Sequence, residues 1–187
     1  MKDSVLISET ERILIKPLSL DDAPALTEIL SDPEVMKHSV RGACDESATR
    51  KFIQECLSCY KSHGVGPWAL IDKKSKDFIG FCGVGPESVG EIEEFNLGYR
   101  LAKRYWGLGL ATESARAVLA YALGERGLKS MVVIIEPKHV ASMRVAEKVG
   151  FSNFKNKQFH GREVRVYRMT RDQWAFVHSN AIQWTNH

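Results

Sequence analysis

The chain has no run of about 18 uninterrupted apolar residues, so no segment has the makings of a membrane-spanning helix. Its start, Met1-Lys2-Asp3-Ser4, lacks the apolar core of a secretory signal, and the expectation is a cytoplasmic protein with no membrane partner. Cysteine is sparse: four in 187 residues, which without a secretion signal read as reduced thiols. Cys56-Leu57-Ser58-Cys59 has half of a zinc spacing, but no second cysteine pair or histidine pair lies at a matching distance, so no metal is expected. Net charge is only +3 and no stripe of basic and aromatic residues is present, which excludes nucleic acid as an expected partner. Repeats, linkers and low-complexity segments are missing too. With 44% hydrophobic and 26% charged residues, the chain suffices for one domain with a full core.

What is present reads as alternating elements. Arg12-Ile13-Leu14-Ile15-Lys16 is a short apolar strand closed by Pro17. A helix starts at Asp21-Asp22, whose carboxylates suit the positive end of a helix dipole, and runs to about Leu30 before Asp32-Pro33 ends it. A second helix is predicted from Asp45 to His63, with Phe52, Cys56, Leu57 and Tyr60 on one side. Residues 68–71 and 78–84 read as strands joined by a charged turn, and 91–101 as a third strand of an antiparallel meander. Ala111, Ala115, Val118, Leu119 and Ala122 recur at helical spacing, with Gly127 placed to end the helix. Met131 to Ile135 is a continuous apolar run, the pattern of a strand buried on both faces in a parallel pair. A helix over about 140–149 and a hairpin of 151–159 with 163–169, around His160-Gly161, complete the series.

Between the third strand and the helix that follows lies the most informative string, Trp106-Gly107-Leu108-Gly109-Leu110-Ala111-Thr112-Glu113. Its glycines permit positive φ and close backbone approach, and the helix behind them offers unpaired N–H groups and a positive dipole end. Strand, glycine turn and helix N-terminus together make an anion site, usually for phosphate. Two signatures are absent. A dinucleotide fingerprint needs Gly or Ala where Thr112 stands and a buried strand where Lys103-Arg104 stand; a nucleoside-triphosphate loop needs a Gly-Lys-Ser/Thr ending.

The wider pattern resembles the GNAT acyltransferases, whose pyrophosphate loop is Gln/Arg-x-x-Gly-x-Gly/Ala. Gly109 and Ala111 match it, while Trp106 replaces the first residue. The tryptophan form is similar to the branch that holds the ribosomal-protein-alanine N-terminal acetyltransferases. Further matching strings are Thr10-Glu11-Arg12-Ile13-Leu14-Ile15, Asp32-Pro33-Glu34-Val35, Phe78-Ile79-Gly80 and Leu97-Gly98-Tyr99. Glu136-Pro137-Lys138-His139-Val140-Ala141-Ser142 and Glu147-Lys148-Val149-Gly150-Phe151 continue them, in one collinear order over about residues 9 to 175. The resemblance implies a single GNAT domain over residues 1–187, of α/β (α+β) class. Its central sheet would be mixed and mostly antiparallel, with helices on both faces. One parallel strand pair, here about 91–101 and 130–135, would splay apart, and the pantetheine amides of acetyl-CoA would replace the missing strand-to-strand bonds.

On this resemblance acetyl-CoA is the acyl donor, held at Tyr99, Leu101, Trp106, Gly107, Leu108, Gly109, Leu110, Ala111, Thr112, His139 and Ser142. Arg100, Lys103 and Arg104 either add positive charge near the pyrophosphate or are solvated strand-end charges. Attack of a neutral amine on the thioester carbonyl needs a route for the amine proton, an oxyanion donor and a proton donor to sulfur. Glu93 stands where some family members carry a catalytic glutamate, to act as base or water-positioning group, or else as a surface carboxylate. Its neighbour Glu94 points to the opposite face unless a bulge swaps the two. The tyrosine that many relatives place seven residues beyond the Asn of Pro-x-Asn is Ala146 here. Ser142 keeps the serine of that pattern, either to meet the CoA sulfur or to cap its helix; His139 replaces the Asn, to contact CoA or begin the helix rather than to catalyse.

No cysteine is expected at the acyl position, which argues for direct transfer rather than a covalent intermediate. At pH 7 an α-amine costs about 1 kcal/mol to deprotonate and a lysine about 4.6. A site without a strong base therefore suits a protein N-terminal α-amine. A small-molecule amine is the alternative acceptor, and a catalytically silent acyl-CoA-binding domain the alternative class. Monomer and homodimer both stay open.

Overall fold

The structure, a computed structural model, describes residues 5–184, so Met1-Lys2-Asp3-Ser4, where no secretory signal is expected, lies outside the described residues. Helix α1 (Ala23–Leu30) is launched by a one-turn 3-10 helix, Leu20–Asp22, in which the Asp22 carboxylate accepts from the Ser19 backbone N–H at 2.8 Å. Helix α2 (Glu46–His63) starts where the Asp45 side chain accepts from the Ala48 N–H at 2.8 Å. Strands β1 (Ser8–Glu9), β2 (Ile13–Pro17), β3 (Pro67–Asp72), β4 (Phe78–Val89) and β5 (Ile92–Leu101) form the expected antiparallel meander. β4 runs past the predicted end at 84 because residues 85–89 keep pairing with 92–96.

Helix α3 (Leu110–Leu119) continues as a widened π-helical turn over Ala120–Glu125. Strand β6 (Ser130–Ile135), helix α4 (Val140–Lys148), strands β7 (Phe154–Phe159) and β8 (Arg162–Thr170) and helix α5 (Arg171–Trp184) follow. The eight strands make one sheet in the order β1-β2-β3-β4-β5-β6-β8-β7. β1 and α5 go beyond the elements that the sequence pattern delivers: β1 is too short to show a period, and the apolar residues of α5 come in blocks that make only a weak helical stripe.

One face of the sheet packs on α3 and α4 through Ile13, Ile15, Trp68, Leu70, Ile79, Val118 and Leu119. The opposite face packs on α1 and α2 through Leu18, Leu26, Ile53, Cys56 and Ala69. Truncating Ile53, fully buried between sheet and helices, to alanine costs about 2–5 kcal/mol.

The apolar run of β6 has a different partner from the one expected along most of its length. All six of its residues pair antiparallel with β8, whereas its parallel pairing with β5 is confined to Asn96 opposite Val132. Beyond that point β5 and β6 splay, and a groove of about 860 Å³ opens across the gap on the α1–α2 side.

Candidate active site

At the C-terminal end of β5 the chain turns into α3 through two glycines at φ +74° (Gly107) and +79° (Gly109), a region that side chains with a Cβ enter at a cost. Gly109 is the N-cap and has no side chain to bond the first turn; the first helical bond is Glu113 N–H to the Gly109 carbonyl, 3.0 Å. Leu110, Ala111 and Thr112 therefore present uncapped N–H groups at the positive end of the helix. Trp106, 46% exposed, closes the turn by donating its indole N–H to the Leu101 carbonyl at 2.9 Å. That bond takes up the Leu101 carbonyl, and the Leu110 side chain is buried.

Behind the loop, two of the matching strings meet. The Glu113 carboxylate accepts from Thr10 Oγ1 (2.6 Å), the Arg12 backbone N–H (2.9 Å) and the Arg12 guanidinium (2.7 Å). Arg12 also donates to the Leu108 carbonyl at 2.8 Å. Burial alone would raise the Glu113 pKa, but these bonds hold it below the usual carboxylate range. The turn between β1 and β2 thus locks the glycine loop and the first turn of α3 in place.

A second cluster lies at the splay. Tyr99 on β5 and Ser142 in the first turn of α4 are joined by a 3.0 Å bond between hydroxyls, and Ser142 Oγ is 3.3 Å from His139 Nε2. Ser142 spends its hydroxyl on these two side chains, and α4 has no side-chain cap bond. Burial raises the Tyr99 phenol's pKa, so it stays a donor. The His139 ring stacks on His38 with centroids 4.1 Å apart and 16° between planes. Burial, then the charges of His38 and Arg100, push His139 down to about 4, so its ring is neutral at pH 7.

His38 Nδ1 lies 3.1 Å from Glu136 Oε2, and Arg162 donates to the other oxygen of the same carboxylate at 2.5 Å. The His38 hydrogen bond leads the effects that hold the Glu136 pKa below the usual range. A carboxylate only accepts, so Nδ1 of His38 carries a proton toward Glu136, and Nε2 is the ring nitrogen that Glu136 leaves unengaged.

A family model described as Acetyltransferase (GNAT) domain matches residues 12–152. The chain belongs to the GNAT acetyltransferase family. YkkB of Bacillus subtilis (strain 168) is 35% identical over 159 residues, covering 84% of this chain and 92% of that one. The crystal structure of a GNAT-family acetyltransferase from Bacillus anthracis superposes with a TM-score of 0.74 at 24% identity, over 88% of this chain and 98% of that one. The ribosomal-protein-S5-alanine acetyltransferase of Vibrio fischeri does so at 0.75 and 13% identity, over 89% and 97%. GNAT acetyltransferases use acetyl-CoA as donor, and this chain is an N-acetyltransferase of that family.

Within this GNAT domain the residues expected around the donor fall into two groups. Trp106, Gly107, Leu108, Gly109, Leu110, Ala111 and Thr112 form the loop and helix start, with Leu101 joined to them through the carbonyl that Trp106 holds, while Tyr99, His139 and Ser142 meet at the splay. Glu93 joins neither: it is exposed near the start of β5 and does not line the groove, while Glu94 is tied to Arg168 at 2.6 Å. The three cations near the loop also separate. Lys103 pairs with Glu34, Arg104 faces Asp77 at 3.9 Å, and Arg100 lines the groove on the α1–α2 side.

Three cysteines, Cys44, Cys56 and Cys59, line the groove wall, and Cys82 lies directly across from Tyr99 in the β4–β5 register. Burial pushes both Cys56 and Cys82 up to about 12 and raises Cys59, so Cys56, Cys59 and Cys82 are protonated thiols and weak nucleophiles. No helix among the described residues is long and apolar enough to cross a membrane.

Proposed function

We propose that this GNAT domain transfers acetyl from acetyl-CoA directly to a protein N-terminal α-amine held in the groove on the α1–α2 side of the splay. One observation carries the reading: an imidazole oriented by a carboxylate, a hydroxyl pair and an anion-binding loop all converge on the gap between β5 and β6. The single β5–β6 pairing leaves strand-edge amides free beyond Asn96, and the uncapped N–H groups of Leu110, Ala111 and Thr112 suit a pyrophosphate, so the residues present fit the donor. Acetyl-CoA supplies the activated acyl group when bound.

His38, oriented by Glu136, takes the proton that the acceptor amine loses, on Nε2. The Tyr99–Ser142 pair holds a proton for the leaving thiolate, with neutral His139 as the acceptor that fixes the Ser142 hydroxyl. This assigns the base to His38, reached through the groove, rather than to Glu93, and it keeps Ser142 in the catalytic set. The high pKa of Cys82 and Cys56 supports direct transfer over a covalent acyl-enzyme.

The low-pKa α-amine fits a base of imidazole strength better than a lysine does: the free-base populations differ by a few hundredfold at pH 7. A thiol-release assay across peptides with different N-termini, lysine-bearing blocked peptides and small amines tests the reading. N-terminal peptides should lead. Turnover confined to blocked lysine peptides or to small polyamines would sink the acceptor assignment, and CoA release with none of them would leave only a CoA-binding domain.

A further inference from the structure

We infer that the acceptor for this site carries a carboxylate close to its amine, and that Arg100 binds that carboxylate beside the reacting cluster while Asn96 receives an N–H farther along the acceptor. The inference rests on the acyl-transfer reading above and deepens it by naming the acceptor's chemistry. Three guanidinium groups line the groove. Arg41 is paired with Glu55 at 2.5 Å and Arg162 with Glu136 at 2.5 Å. Arg100 has no carboxylate partner among the described residues; its one hydrogen bond there is from Nη1 to the Tyr99 carbonyl, 2.7 Å.

A guanidinium has five N–H donors in a planar fork. Arg100 is partly buried in the groove wall, and the donors it leaves unused face the groove, where an anion can take them. Burial does depress the Arg100 pKa, in keeping with a desolvated cation that lacks a counter-charge. The geometry of the fork matches a carboxylate, which it grips with two parallel bonds.

Asn96 is the second observation. Its Oδ1 is buried and has no hydrogen-bond partner among the described residues. Buried acceptors in folded proteins are nearly always paired, so an unpaired one in a groove wall marks a place for a donor from a ligand. Asn96, Gly98 and Arg100 alternate along β5 and therefore share a face.

The floor between them is bare. A Cβ at Gly98, or at Gly85 across from Asn96, would meet nothing within 4 Å. Four residue-to-residue steps of strand separate the two polar ends, about 13 Å of backbone. That length admits the end of an extended acceptor, with its charge and reacting amine at the Arg100 end and a further N–H at Asn96; a free amino acid fills the Arg100 end alone. Arg100 also lies close enough to His139 for its charge to depress that ring's pKa, so the carboxylate site adjoins the reacting cluster.

Two sources share this chemistry: a free amino acid, and a peptide N-terminus with an acidic residue beside it. The test uses matched pairs in the thiol-release assay, amino acids against their carboxamides and N-terminal peptides with Glu against Gln in second position. Wild type should favour the acid of a pair by about tenfold or more in kcat/KM, chiefly through KM, since a charge-assisted bidentate bond contributes at that level. Arg100→Gln should bring the ratio to within about twofold of unity, and Arg100→Lys should restore part of it. Thermal protection by CoA should be the same in all three proteins. A preference in the free acids, the peptides or both supports the inference and identifies the source. Equal use of acid and neutral partners by wild type, or a preference that survives Arg100→Gln, overturns it.

Calorimetric titration of the same pairs into CoA-loaded protein gives a readout without turnover: binding that favours the acid and is lost in Arg100→Gln supports the site, and binding indifferent to the carboxylate, or none, overturns it. Failure of CoA protection in wild type would instead strike the acyl-transfer reading itself.

Discussion

Gly107→Ala separates the backbone's need for glycine from the ligand's. A Cβ at this position meets nothing within 4 Å, so the folded chain has room for it and the cost is that of an L side chain at φ +74°, about 1–2 kcal/mol. For 187 residues, an unfolding entropy of about 2.1 cal/mol/K per residue turns each kcal/mol into roughly 2.5 °C, so the free variant should melt about 3–5 °C below wild type. Ligand stabilisation is a separate quantity. At 100 times its Kd, CoA should add about 2.7 kcal/mol to wild type, roughly 7 °C. In the variant the methyl group stands where phosphate oxygens approach the loop N–H groups. A hundredfold rise in Kd would then leave about 0.4 kcal/mol at the same CoA concentration, roughly 1 °C. Gly161→Ala is the matched control: φ is again +74° with nothing within 4 Å, but the residue is in the β7–β8 turn. Its free protein should lose as much stability while keeping the full CoA shift. Differential scanning of the three proteins with and without CoA reads both effects. If Gly107→Ala melts lower as stated yet keeps a shift of about 7 °C, the phosphates do not lie on this loop and the donor geometry is wrong.

Other perturbations test the remaining parts. Ser142→Ala should lower kcat by about a hundredfold in thiol release while the CoA-dependent melting shift stays within about 1 °C; full turnover would remove Ser142 from the chemistry. Glu93→Gln should leave kcat/KM within about twofold, whereas His38→Gln should lower it about a hundredfold at pH 7 and recover as pH rises and the amine deprotonates unaided; the reverse ranking would return the base to β5. Glu113→Gln should cost about 1 kcal/mol, a modest figure because the Arg12 side chain is 45% exposed. The Glu113 pKa is lowered on folding, so its contribution is present above the unfolded carboxylate pKa and fades as pH falls through the folded value; urea midpoints from pH 7 to 3 should therefore fall less steeply in the variant. His139 titrates near 6.5 when unfolded and about 4 when folded, so protons favour the unfolded chain as pH drops between those values, and His139→Gln should flatten the urea-midpoint profile in that window.

The parts of this site that were legible in the sequence are those made by neighbours along the chain. The glycine turn, the uncapped start of α3 and the apolar stripe behind it each depend on residues a few positions apart, where period and turn chemistry operate. Contacts between distant segments follow no such spacing. Arg12 and Glu113 both belonged to matching strings, but their pairing spans 101 residues and only the packing of β2 beside α3 explains it. His38 lies in the loop between α1 and α2, 98 residues from Glu136, with nothing local to mark it as a base. Strand parity accounts for another difference: Arg100 and Tyr99 are adjacent in sequence, yet alternation puts Arg100 on the face of Asn96 and Gly98 and turns the Tyr99 hydroxyl to Ser142, at the edge of the same groove. The same alternation bears on Ala146. An alanine there reads as a missing phenol only if the proton donor must come from α4. Tyr99 brings a hydroxyl to Ser142 from the opposite side of the gap, on a strand whose register with β4 fixes its face. The chemistry asks for a protonated donor within hydrogen-bond reach and is indifferent to which element carries it. Tyr99→Phe in the Ser142→Ala background should therefore cost far less than in wild type, because two hydroxyls serving one proton are coupled rather than additive.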